Sequence, residues 1–314
     1  MKSDQSAHLF EDRVVIVTGA GRGLGRAHAR FVAALGATVV VNDAGVAQDG
    51  SGPDPSVARD AAAAIEAAGA RTMWSAADLS SRAECHQLVA ETLERFGRVD
   101  ALIHSAGIVD RHPIAEITEE QLARTLAVNL GAAVWLVQAA LPAMRSKRYG
   151  RIVLTISGHG LFPIDPPALP AYATGKAAQF GLMNTLAMES AADGILINAV
   201  APVAATRVYT GPDPERFRPD LTSPGVAFLA SELCQDFGLV LRAAGGEFSV
   251  GGYAVTPGVL FPGQPSFSKF VAHWSEIAGG HFQPANPPSV SDRAPRVAQP
   301  ARPRPSRKRP RPST

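Results

Sequence analysis

Hydrophobic positions along this chain recur with two different periods. Short runs of mostly apolar, often β-branched residues at 13–18, 38–42, 71–76, 100–104, 151–156 and 195–201 read as strands. Between them, apolar residues fall at helical spacing over 24–35, 82–96, 122–145 and 172–191. A strand that is apolar at consecutive positions is covered on both faces, and helix-length connections are what parallel neighbours require. The alternation over residues 11–260 predicts a single α/β domain with a doubly wound parallel sheet of Rossmann type. Such sheets bind ligands at the carboxyl ends of their strands.

Composition adds bounds to this picture. The chain has 314 residues, of which 46% are hydrophobic and 18% charged, enough to bury a sizeable core and too apolar for a wholly disordered chain. The apolar runs at 14–17 and 39–41 are far below the ~20 residues of a membrane span, and the first residues lack the apolar core of a signal peptide. Cys85 and Cys234 are the only cysteines, which argues against a disulfide scaffold and predicts a reducing, cytoplasmic setting.

Charge divides the chain. Residues 283–314 hold seven Arg and Lys308 against the single acid Asp292. That segment carries +7, so against the chain's total of +2 residues 1–282 sum to −5. It also holds nine prolines and no aromatic residue, so burial cannot repay the entropy of ordering it. The sequence therefore predicts a folded domain over 1–282 and a disordered Pro/Arg-rich tail over 283–314. The cluster Ser306-Arg307-Lys308-Arg309-Pro310-Arg311 predicts nonspecific attraction to nucleic acid at most, because no aromatic interleaves with it and the body is acidic.

The strongest local signal follows the first strand, in Thr18-Gly19-Ala20-Gly21-Arg22-Gly23-Leu24-Gly25. A strand running through a Gly-rich turn into a helix is the setting of a dinucleotide site. Glycine lets the backbone approach a pyrophosphate, and the helix N-terminus offers free N–H groups and a favourable dipole. The second strand ends at Asp43, where a carboxylate accepts from ribose hydroxyls and repels a 2′-phosphate, favouring NAD. Arg22 argues the other way, as a cation able to pair with that phosphate, so NADP stays open.

A second signal lies in Tyr172-Ala173-Thr174-Gly175-Lys176, which sets a phenol and an ammonium at i and i+4 on one helix face. A free phenol titrates near pH 10, and a cation beside it favours the phenolate of a general base. No His/Cys cluster has metal-ligand spacing, so no catalytic metal is implied.

With Gly19-x-x-x-Gly23-x-Gly25, this pair resembles the short-chain dehydrogenase/reductase family from about residue 12 to 260. The resemblance implies that Asp78 and Leu79 contact adenine, although Asp78 reads equally as a helix N-cap. Ala106 and Gly107 follow His104-Ser105, where the family usually carries an Asn pair, and imply close packing against the cofactor. It further implies that Thr18 and Leu24 belong to the cofactor site and that Thr206 contacts the nicotinamide carboxamide. Tyr172 would be the base and Lys176 would lower its pKa and hold the ribose. Asn129 would support proton escape. Ser157 would orient substrate oxygen, although it precedes Tyr172 by 15 residues where the family has 13. His159 stands at the usual interval, and the reading keeps Ser157 by assigning two extra residues to the Pro-rich loop 162–170.

Finer details, among them Val40-Val41-Asn42-Asp43 and Gly245-Gly246-Glu247-Phe248, resemble the hydroxyacyl-CoA dehydrogenase module of peroxisomal multifunctional enzymes, the type 4 17β-hydroxysteroid dehydrogenase branch. The implied function is hydride transfer between a nicotinamide cofactor and a secondary alcohol or ketone of hydroxyacyl-CoA-like or hydroxysteroid-like kind. An NADP-dependent ketone reductase and a silent dinucleotide-binding scaffold are the alternatives. The resemblance also implies a homodimer or homotetramer.

Overall fold

The computed structural model describes residues 8–280 apart from 166, 208 and 210, together with 283–284. Strands β1 (Val14–Thr18), β2 (Thr38–Asn42), β3 (Thr72–Ser75), β4 (Ala101–His104), β5 (Gly150–Thr155), β6 (Ile195–Val203), β7 (Val240–Ala244) and β8 (Glu247–Gly251) form one sheet. Their order is β3-β2-β1-β4-β5-β6-β7-β8, parallel throughout except for β8, which runs antiparallel to β7.

The central strands carry apolar residues at consecutive positions because successive residues serve different cores. Val14 and Ile16 of β1 join Leu88, Leu136, Val137 and Met183 on one face. Val15 and Val17 join Ala29, Val32, Ile65 and Val226 on the other. Helices α3 (Arg82–Phe96), α5 (Ala132–Lys147) and α6 (Pro170–Ser190) cover the first face. Helices α1 (Gly23–Ala34), α2 (Ser56–Glu66) and α7 (Ser223–Ala230) cover the second. The doubly wound parallel sheet expected from the sequence is therefore present, and the order reverses between β1 and β4, where such sheets open a crevice.

Several elements differ from the sequence reading. The single helix expected over 122–145 is α4 (Glu119–Leu126), a π-helical turn at Ala127–Gly131, and then α5. By length and composition the segment Glu119–Lys147 is apolar enough to cross a membrane. Here Leu136, Val137, Ala140 and Met144 pack it against the sheet, which accounts for its apolarity. Helix α2, which was not among the helices read from the sequence, buries Ala58, Ala61, Ala62 and Ile65. The expected strand at 151–156 ends at Thr155, and the one at 195–201 runs on to Val203. Beyond the sheet, β9 (Ala254–Val255), α8 (Phe267–Ala272) and α9 (Trp274–Ala278) precede β10 (Gln283–Pro284), which pairs with β9. Residues 285–314, where most of the expected disordered tail falls, lie outside the described residues.

Two buried histidines carry a consequence for stability. His28 bonds Ser223 Oγ at 3.0 Å and His104 bonds Thr18 Oγ1 at 2.9 Å. The Nε2 atom of each is buried without a partner. Burial lowers both from 6.5 to about 3, with Lys176 adding to the effect at His104. Because the folded-state pKa values are depressed, their contribution is intact above pH 6.5 and is lost as pH falls toward 3. The unfolded chain then binds protons that the folded one refuses, at about 1.4 kcal/mol per pH unit per histidine. Denaturant titrations at pH 6.5 and 4.5 should show a loss of several kcal/mol, smaller in His104→Asn; equal stability at the two values would contradict this.

Candidate active site

Strand β1 ends at Thr18 and α1 begins at Gly23, so the chain turns sharply at the sheet edge. Gly19 has φ +63°, and a Cβ there would lie 2.8 Å from Ala106 Cα, while one on Gly25 would lie 2.2 Å from the Gly19 carbonyl oxygen. These contacts require glycine. No side chain caps α1, so its first N–H groups suit an anion. The turn opens onto a cavity of about 300 Å³ that is also lined by Leu24, Asp43, Leu79, Gly107, Tyr172 and Lys176. The glycine cradle, the uncapped helix and the acid at the end of β2 together fit a nicotinamide dinucleotide.

At one end of the cavity, Asp43 is held by the backbone. Its Oδ2 accepts from Gly21 N at 2.9 Å and its Oδ1 from Gly45 N at 2.8 Å. A carboxylate oxygen retains a second lone pair, so both can still accept from ribose hydroxyls. Arg22 is turned to the loop after β2, donating Nη1 to Val46 O at 3.1 Å. Asn42, not singled out from sequence, donates Nδ2 to Ala77 O at 3.1 Å and so ties β2 to the segment carrying Asp78 and Leu79. Asp78 is not the N-cap of α3. Ser81 caps that helix by accepting from Glu84 N, while Asp78 Oδ1 accepts from Ser80 N at 2.9 Å.

Thr18 joins the first and fourth strands. Its Oγ1 accepts from Ser105 N at 3.2 Å and from Ala106 N at 3.1 Å. With both lone pairs engaged, its hydroxyl proton is left for His104 Nδ1, so the ring proton sits on Nε2. Ser105 Oγ meets Thr155 Oγ1 at 3.2 Å, linking the ends of β4 and β5. His104 and Ser105 thus join the strand ends in the segment just before Ala106 and Gly107.

The other end of the cavity holds the phenol and ammonium. Tyr172 lies near the start of α6, where Pro170 opens the helix, and Lys176 follows one turn later on the same helix. Ser157 stands just beyond β5 as the N-cap of a short 3-10 turn at Gly158–Gly160. Burial raises the Tyr172 pKa, while a hydrogen bond with Ser157 and the charge of Arg111 oppose the rise. Lys176 is buried one turn further along the same helix. Its Nζ donates to Thr155 O at 2.8 Å, and burial lowers its pKa to about 8. The i, i+4 spacing is present, but the ammonium is aimed at the strand end rather than at the tyrosine.

A 3-10 turn at Gly158–Gly160 and a loop separate Ser157 from the start of α6. His159 meets Tyr172 edge-on, with ring centroids 6.4 Å apart, and its Nε2 is buried without a partner.

Asn129 sits in the π-helical turn, fully buried. Its Oδ1 accepts from Ile108 N and its Nδ2 donates to Ile108 O, both at 2.9 Å, while Gln179 Nε2 donates to its carbonyl oxygen. A Cβ on Gly107 would lie 3.0 Å from Asn129 Oδ1 and 3.3 Å from Lys176 Nζ. Thr206 faces the start of α1, its Cγ2 3.1 Å from where a Gly23 Cβ would be.

Most of the expected residues therefore line one cavity, whereas Thr18, Gly21 and Asn129 lie behind its wall and act through the residues they bond. Sequence reasoning missed Asn42, Gln179, the Thr155 carbonyl and Arg111. A backbone carbonyl and a loop arginine carry no periodic signal, although Gln179 could have been found from its place three residues after Lys176 on the same helix. Among the described residues, no group of three or more His, Cys, Asp or Glu is placed to hold a metal ion.

Comparison with known proteins agrees with this arrangement. Residues 13–210 match the family model described as short chain dehydrogenase. A Mycobacterium tuberculosis protein named as a short-chain type dehydrogenase/reductase is 35% identical over 271 residues, covering 85% of this chain and 94% of the relative. Peroxisomal multifunctional enzyme type 2 of Drosophila melanogaster is 34% identical over 250 residues, 78% of this chain. The chain spans only 41% of that longer enzyme. The crystal structure of a short chain dehydrogenase from Mycobacterium avium superposes with a TM-score of 0.76 at 32% identity, covering 88% of this chain and 98% of that one.

The hub at Thr18 yields a direct test. Thr18→Val keeps the shape but strands two N–H groups and an imidazole nitrogen, which should cost about 2–4 kcal/mol and lower Tm by several degrees. Thr18→Ser should restore most of the loss. Calorimetry showing Thr18→Val as stable as the parent would remove the hub from the account.

Proposed function

The chain belongs to the short-chain dehydrogenase family, and on that premise we propose that it oxidises a secondary alcohol on a hydroxyacyl-CoA-like or hydroxysteroid-like substrate, with NAD as the preferred cofactor. It is an NAD(P)-dependent oxidoreductase acting by hydride transfer. The observation that carries the finer reading is the juxtaposition of Tyr172, Ser157 and Lys176 at the carboxyl ends of the strands, beside the glycine cradle.

A nicotinamide held by the glycine cradle and Lys176 would supply the acceptor for the hydride of the carbinol carbon. The chain's own residues manage the proton and the geometry. Tyr172 takes the hydroxyl proton at its phenolic oxygen. Ser157 holds the substrate oxygen and stabilises the charge that develops there. Its hydrogen bond to Tyr172 and the nearby charge of Arg111 favour the phenolate against burial. Lys176 holds the cofactor ribose, fixed by Thr155 O, and its ammonium is present below pH about 8. Asn129 keeps the Lys176 end of the site in register and supports escape of the proton.

The preference for NAD is supported by two features. Asp43 is fixed by the backbone at the end of β2, where its carboxylate would accept from ribose hydroxyls and repel a 2′-phosphate, and Arg22 spends one nitrogen on the Val46 carbonyl. The proposal extends to Thr18, Gly19, Gly21, Gly23, Leu24, Gly25, Asp78, Leu79, Ala106, Gly107 and Thr206 as the cofactor-binding set. A homodimer or homotetramer in the cytoplasm completes it, supported by the Ala- and Gly-rich α6 and by two buried free cysteines.

Turnover and NAD affinity measured together test the roles. Tyr172→Phe should keep the fold and NAD binding while turnover falls by ~10²–10⁴-fold. Lys176→Ala should lose turnover and weaken NAD, Ser157→Ala should lose turnover alone, and His159→Ala should keep most of the rate. Near-parent turnover in Tyr172→Phe would end the mechanism, and a dead His159→Ala beside an active Ser157→Ala would reassign the serine role.

A further inference from the structure

The chain beyond β8 is tethered to the domain rather than built into it. Among the described residues, neither core takes a side chain from beyond Ala243. A few contacts hold the appended segment in place. Tyr253 tilts against Phe180 of α6 with ring centroids 5.2 Å apart, β9 pairs with β10, and Thr256 Oγ1 donates to Ile277 O of α9 at 2.7 Å.

This appendage presents apolar side chains to solvent. Phe267, Phe270, Val271 and Trp274 follow one another at i, i+3, i+4 and i+7, the spacing that sets a stripe along one side of a helical segment. The rings of Phe270 and Trp274 stand 5.9 Å apart, so the stripe continues across His273 from α8 into α9. A stripe of this kind normally faces a core. Here Phe267 is 83% exposed and Trp274 56%, and Leu260 in the loop before them is 93% exposed. An exposed apolar surface of this extent marks a contact face.

The charge that adjoins the stripe narrows what covers it. Strand β10 ends at Pro284, and residues 285–314 carry +7, with no aromatic residue and with Val290 and Val297 as their only apolar side chains larger than alanine or proline. That segment is too poor in apolar surface to bury the stripe itself. A second copy laid against the stripe by a two-fold axis would bring the starts of two such basic segments together, because β10 is paired with β9 and the residue after β9 is bonded to α9. An anionic bilayer meets both features at once. Phe and Trp side chains settle at the headgroup boundary, and Lys and Arg are drawn to the negative surface. One such signal binds marginally, and two together bind stably. Residues 1–282, at −5, are repelled by the same surface, which leaves the appendage as the side that faces it.

We propose that the α8–α9 stripe and the basic segment after β10 together dock this protein on a bilayer rich in anionic phospholipid, lying on the surface without crossing it. The inference does not depend on the substrate or on the dehydrogenase reading.

Co-sedimentation of the full chain with vesicles tests it, using phosphatidylcholine alone and phosphatidylcholine with about one-third phosphatidylserine. The parent should bind the mixed vesicles, release them as salt is raised, and leave the neutral ones unbound. Phe267→Ser combined with Trp274→Ser should weaken that binding by about tenfold or more, as should Arg307→Gln, Lys308→Gln, Arg309→Gln and Arg311→Gln together. The stripe variant should keep the parent Tm, because its side chains lie outside both cores. A markedly lower Tm would show the stripe to be packed and overturn the proposal. Equal binding to the two kinds of vesicle, binding to neither, or full binding by the stripe variant would overturn it as well. Light scattering that finds the stripe variant in a smaller oligomer than the parent would give the face to a second copy instead. Retention on duplex DNA without binding to the mixed vesicles would give the basic segment to nucleic acid and end the membrane assignment.

Discussion

The side-chain amide of Asn129, bonded through both its atoms to the backbone of Ile108, is the constraint around which the site is assembled. An amide inside a regular helix has its backbone spoken for by the ladder. Here the helix widens into a π turn at Ala127–Gly131, as π turns often do at functional sites. The Asn129 carbonyl oxygen accepts from Gln179 of α6. One residue thereby ties the loop after β4 to α4, α5 and α6. Gly175 and Gly107 are small where they must be, since a Cβ on either would crowd the Asn129 side chain. Lys176 Nζ, against Gly107 and under the Thr155 carbonyl, has its position defined from two sides.

That arrangement is costly in electrostatic terms. A buried ammonium whose pKa falls to about 8 and a phenol raised by burial both oppose their charged forms. The structure offsets this locally, through a carbonyl for the lysine and through Ser157 and Arg111 for the tyrosine. Perturbed groups of this kind, converging on a cavity, are what a site built for proton transfer displays. His104 is held neutral in part by the same lysine, so the stitch between β1 and β4 and the ammonium are electrostatically linked.

Much of this was legible in the sequence, for identifiable reasons. Runs such as Val14-Val15-Ile16-Val17 announced strands covered on both faces, and the glycines at 19, 23 and 25 announced a turn with no room for side chains. Tyr172 and Lys176 declared themselves by type and spacing. What stayed hidden depended on tertiary approach. The break in the 122–145 helix follows from bonds between Asn129 and residues 21 and 50 positions away. The direction of Lys176 depends on a backbone carbonyl of another strand, and spacing on its own helix carries no trace of it. Arg111 belongs to a loop with no periodicity and reaches the phenol only because β4 and β5 are neighbours in the sheet.

Both the cofactor side and the proton side of the cavity depend on the Asn129 clamp. The most direct measurement is the crystal structure and NAD affinity of Asn129→Ala, taken together with its Tm. Losing both bonds to Ile108 should lower Tm, shift the Gly107 backbone away from Lys176 and weaken NAD. An Asn129→Ala protein with parent stability, an unmoved Gly107–Lys176 contact and unchanged NAD affinity would contradict the claim.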